Sequence, residues 1–130
     1  MKVEIKMRKE TSYGNMADSD LIHDFEKSLS GYKRWIAKRF DLNEDELEEA
    51  EYMSFTRREI HKIVEELQKR GITYDAQELA RSDREWQNWI LSHSDPSFKL
   101  EHPRDDQPKS HWWEWIDQLA SLTDEQRNTL

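Results

Sequence analysis

Two groups of side chains in this sequence have types and spacing that could bind a metal. Asp20, His23 and Asp24 fall at i, i+3 and i+4, and His61 and Glu65 at i and i+4, so each group would share one helix face. Carboxylate–histidine sets on facing helices are how bundles hold pairs of iron or manganese ions. Such sites use Glu-x-x-His, which occurs nowhere in this chain. Both groups therefore read as solvated flanks beside an apolar stripe, and no metal or other cofactor is expected.

Arg104 and His111, separated by six residues, have the types and spacing of a hydrolase pair, a ribonuclease included. With ten Arg and five His in the chain, about one such spacing arises by chance. Nucleophile elbow, phosphate loop and HExxH are all missing from the sequence, which weighs against an enzyme. His102 and His111 are expected to titrate near the unperturbed value of about 6.5.

The segment Asp41–Glu51 carries seven acids and no base. Glu44, Asp45, Glu48 and Glu49 would form either a docking face for a basic partner, a nucleic-acid mimic among such faces, or a solvated helix start favoured by the dipole. Lys33, Arg34, Lys38, Arg39, Arg57 and Arg58 make local basic patches, and 56–91 has a faint helix-turn-helix outline. The second helix of that outline is net acidic, and the whole chain is at −8, so nucleic acid is not an expected partner.

Tryptophan is the most unusual feature, with six in 130 residues. Trp112 and Trp115 would lie on the main stripe of a C-terminal helix and belong to a core. Trp113 widens that stripe, and Trp35 sits at the edge of its own. Partly exposed Trp marks interfaces, so these four are the aromatic binding candidates, with Trp113 and Trp35 foremost.

Elements that would position these groups follow from periodicity. Val3, Ile5 and Met7 alternate with charged residues, a strand signal over 2–8; the one other alternating stretch is 97–102, and the two would pair as a ribbon. Residues 18–40 carry a 3.6-residue apolar stripe through Leu21, Ile22, Phe25, Leu29, Tyr32, Ile36 and Phe40. Asn43 with Glu46, Thr56 with Glu59, and Asp75 with Glu78 each resemble a capping box with a hydrophobic staple. They predict helices near 43–53, 56–70 and 75–92, with Gly71 closing the second. A last helix is expected over 110–122.

The expected fold is therefore mainly α: a single helical domain over 1–130 of about five helical segments with that small ribbon. A leader covers 1–15, a long proline-containing loop 92–109, and a weak tail 123–130. Without cysteine there are no disulfides or thiolate sites, and no apolar run is long enough for a signal or membrane span, so the reading is a cytoplasmic protein. The expected function is a small acidic protein-binding or regulatory module without catalysis, acting through a partner or as a homodimer. Self-association would run through the 2–8 strand and the Trp113 face.

Overall fold

The computed structural model describes residues 13–95, 98–102 and 104–130. The architecture is helical. Helix α1, Asp18–Ala37, buries Leu21, Phe25, Leu29, Tyr32 and Ile36. It stops three residues short of the predicted Phe40, where Arg39 takes a left-handed φ of 53° and turns the chain. Asn43 then accepts a hydrogen bond from the Glu46 amide and caps a 3₁₀ turn, Glu44–Glu46, that runs into α2, Leu47–Lys69.

The predicted break at Thr56 does not occur. Helix α2 passes through it, because Ala50, Met53, Ser54, Arg57, Ile60, Val64 and Leu67 form one unbroken buried stripe. A Thr followed three residues later by Glu has the letters of a capping box, and tertiary burial on both sides keeps the backbone helical. The other end is as expected. Gly71 has φ 70°, and the Ile72 amide bonds back to the Leu67 carbonyl at 2.9 Å, closing the helix as a Schellman motif. Helix α3, Ala76–His93, starts at Asp75, whose side chain accepts from the Glu78 amide. Among the described residues, no helix is long and apolar enough to cross a membrane.

The C-terminal helix predicted over 110–122 is instead two 3₁₀ turns, Trp112–Glu114 and Ile116–Ser121, joined at Trp115 with φ −127°. An α-helix would turn every third or fourth residue outward. The kinked path buries Trp112, Trp113, Glu114, Trp115 and Ile116 in succession, so packing overrides propensity here. The first turn packs on α2 and the second on α3, while α1 packs on α2 and α3. The expected weak tail holds a short helix α4, Asp124–Arg127, capped by a full Thr123–Gln126 capping box. It is tied down by Gln87 to the Arg127 carbonyl and Trp112 Nε1 to the Thr129 carbonyl.

The strand expected at 2–8 lies outside the described residues. Its expected mate, 97–102, has no strand among residues 98–102. Carboxylates take the role a ladder would have played: Asp117 accepts from the Leu100 amide at 2.9 Å and Glu51 from the Glu101 amide at 2.6 Å.

These boundaries separate two similar-looking threonines. Thr123→Ala should cost about 0.5–2 kcal/mol of the terminal anchor's local stability, read by amide exchange at 126–129. Thr56→Ala, inside a helix, should be neutral or stabilise by about 0.5 kcal/mol in urea unfolding. A clear loss at Thr56 would contradict a continuous α2.

Candidate functional site

Polar groups penetrate the helical core in two networks. In the first, Arg57 on α2 is fully buried and gives a bidentate pair to Asp83 on α3, with both contacts at 2.8 Å. Tyr32 on α1 donates to the same carboxylate at 2.6 Å, and burial beside it pushes the phenol's pKa up. Arg57 also donates to the Leu130 carbonyl, and its guanidinium lies 4.6 Å from the Trp113 ring centre. Its remaining nitrogen, Nη1, has no hydrogen-bond partner.

The second network surrounds Glu114, whose carboxylate is also fully buried. Arg58 holds it with contacts of 2.6 and 2.9 Å. His102 stands between it and Glu51, with Nε2 2.9 Å from Glu114 and Nδ1 against Glu51. Two acceptors on two ring nitrogens call for the doubly protonated imidazolium. The hydrogen bond to Glu114 is the largest influence holding the His102 pKa above 6.5, opposed by burial. Burial alone would raise the Glu114 pKa, yet His102 and Arg58 bring it below 4.5. Arg104 sits alongside, paired to Asp117 and donating to the Glu114 carbonyl at 3.0 Å.

The hydrolase candidates are not assembled into a site. Arg104 is committed to Asp117 and covers Trp115, whereas His111 stacks on Trp113 at 5.0 Å with His61 at 4.8 Å. The two share no hydrogen bond or ring contact. The expectation of unshifted histidines is corrected for both: His102 is raised, and His111 is lowered by burial and then by the His61 charge. Among the metal candidates, His61 reaches Glu65 at 3.3 Å and the Leu130 carbonyl at 3.1 Å, while Asp20 and His23 are exposed on α1 with Asp24 half-buried beside them. Among the described residues no three such groups converge on one point.

The aromatic candidates divide. Trp112, Trp113 and Trp115 belong to the core, so the partial exposure expected of Trp113 is not met. The reason is the kinked 3₁₀ path, which turns consecutive indoles inward. Trp35 remains half-buried on an open groove of about 690 Å³ between α1 and α2. There it meets Tyr52, which is 50% exposed, with ring centres 5.1 Å apart. Lys38 covers Trp35 at 4.7 Å, and Lys27, Arg34 and Phe55 line the groove together with the carboxylates of Asp24 and Glu59. Among the described residues Lys27, Arg34 and Lys38 form no ion pair. Of these residues the sequence marks Trp35 as a binding candidate and Arg34 and Lys38 as part of a basic patch. Tyr52 and Phe55 were hidden by a helix break placed beside them, and α2's true register puts both toward α1.

The acidic candidates Glu44, Asp45 and Glu48 line a recess of about 370 Å³ together with Glu51, Glu101 and His102. Glu49 instead shares a hydrogen bond with Glu46, whose carboxyl it pushes upward.

Histidine titration tests this geometry. By NMR His102 should titrate above 6.5 and His111 below it. Stability supplied by protonated His102 is present below 6.5 and lost as pH rises through its raised pKa. Stability dependent on neutral His111 is present above 6.5 and lost as pH falls through its lowered pKa. In urea unfolding, His102→Gln should flatten the alkaline loss, and because His102 also holds Glu114 low it should move the acid-side loss toward higher pH. Two histidines titrating together at 6.5 would contradict the Glu114 network around His102 and the burial of His111 beside His61.

No protein-family model, curated protein or solved structure matches this chain.

Proposed function

We propose that this chain is a small protein-binding or regulatory module without catalytic activity, and that it binds through the α1–α2 face around Trp35 and Tyr52. The observation that carries the reading is the half-exposed aromatic pair flanked by three cations without ion pairs. Exposed aromatics beside unpaired charge are the composition of an interface core and its rim. Three cations against the carboxylates Asp24 and Glu59 leave the groove slightly positive on a chain whose net charge is −8. Catalysis is disfavoured because Arg104 and His111 are each held by separate internal partners.

A second reading rests on the acidic recess. Glu44, Asp45, Glu48, Glu51 and Glu101 face it, with His102 as the base among its lining residues. That arrangement suits a basic partner segment, the role considered for the 41–51 run.

Affinity capture from source lysate with immobilised wild type, Trp35→Ala/Tyr52→Ala and Glu44→Lys/Glu48→Lys distinguishes the two. The aromatic double variant should lose the proteins that wild type retains, while the acidic-recess variant keeps them. Loss only in the recess variant would move the binding surface there. Retention by both variants would overturn the reading.

A further inference from the structure

One stripe of α1, continued by its C-cap Lys38, carries Asp20, Asp24, Lys27, Gly31, Arg34 and Lys38, separated alternately by four and three residues. That alternation keeps all six on one narrow stripe, with charged residues and a glycine at the spacing that a coiled-coil seam fills with apolar side chains. The stripe lies away from the buried line of Leu21, Phe25, Leu29, Tyr32 and Ile36, along the α1 rim of the α1–α2 groove. Each of the six is exposed or half-buried, and among the described residues none of its charges has an ion pair. Carboxylates occupy the N-terminal part and cations the C-terminal part. The helix dipole favours that order at the two ends, but its influence fades within a turn and does not reach Asp24, Lys27 or Gly31.

Reversing the stripe makes it its own complement. In an antiparallel pair, Asp20 falls opposite the partner's Lys38, Asp24 opposite the partner's Arg34, and Lys27 opposite the partner's Gly31. The outer pairs stand about 27 Å apart along one helix, five turns of contact. Gly31 fits this arrangement. A glycine inside a helix costs about 1 kcal/mol relative to alanine. A Cβ added here would meet only Arg34 Nη2, at 3.8 Å, so nothing within the fold demands the missing side chain. Opposite a lysine stem from another chain, the gap admits close approach. Trp35 and Tyr52 flank the stripe and supply apolar surface to be covered.

We propose that the occupant of this face is a second copy of the chain, docked as a two-fold dimer with the α1 helices antiparallel across Gly31. This rests on the binding reading above and names its partner. The like-against-like order of charges also specifies direction: a parallel pairing would set Asp against Asp and Lys against Lys.

Sedimentation equilibrium of the full chain, from low micromolar to sub-millimolar concentration, provides the test. Wild type should dimerise, and added salt should weaken the dimer. Asp20→Lys/Asp24→Lys and Arg34→Asp/Lys38→Asp should each raise the dissociation constant by about tenfold or more, with helix content by circular dichroism unchanged. Mixing the two reversed variants should restore a dimer, because each now complements the other. Gly31→Leu should disrupt the dimer without any charge change. A wild-type monomer throughout the range overturns the proposal, as does a dimer indifferent to both reversals or a mixture that stays monomeric. If the monomer still loses its captured proteins with Trp35→Ala/Tyr52→Ala, the binding reading stands and only self-association fails.

Discussion

A guanidinium with no access to water organises this fold. Arg57 is fully buried, and an isolated buried charge is tolerated only when its counter-charge is fixed in place. Asp83 on α3 is that counter-charge, and Tyr32 on α1 donates to it, so one carboxylate couples all three long helices. The guanidinium also lies over Trp113 and donates to the Leu130 carbonyl, which draws the C-terminal segment onto α2. The positions of α1, α2, α3 and the tryptophan-rich turns are thereby correlated through one side chain.

Glu114 extends the same logic to the irregular part of the chain. Its burial requires Arg58 and His102, and His102 in turn holds Glu51. Residues 98–102 have no strand ladder, and two of their amides are satisfied by carboxylates of the surrounding network instead. A segment with little regular structure is thus positioned by charge, which makes its placement sensitive to the protonation of His102. Among the described residues, the stripe of Asp20, Asp24, Lys27, Arg34 and Lys38 along α1 stands apart from both buried networks.

Local signals in the sequence account for the mainly helical fold, for α1 as far as Ala37, for the Asn43 and Asp75 caps and for the Gly71 closure. Each depends on residues within one or two turns. What was not legible depends on contacts distant in sequence. Thr56 carries a capping pattern that only the continuous burial of Met53, Arg57 and Ile60 cancels. Arg57 and Arg58 read as surface charge, since nothing nearby announces Asp83 or Glu114 as partners. Trp112–Ile116 has helical periodicity, yet burying neighbouring indoles required a kinked path. At the candidate site, Trp35 was identifiable from its position at a stripe edge. Tyr52 became visible only with the register of α2, and Gly31 acquired meaning once the space around it was known.

The buried Arg57–Asp83 pair is the interaction on which this arrangement turns, and urea unfolding of Asp83→Ala, Arg57→Met and the double variant at pH 7 tests it most directly. Removing Asp83 alone strands the guanidinium in the core and should cost about 3–5 kcal/mol. The double variant should recover part of that loss, because it no longer buries an unpaired charge. Two small single losses that simply add, within about 0.5 kcal/mol, would contradict a fold organised around Arg57.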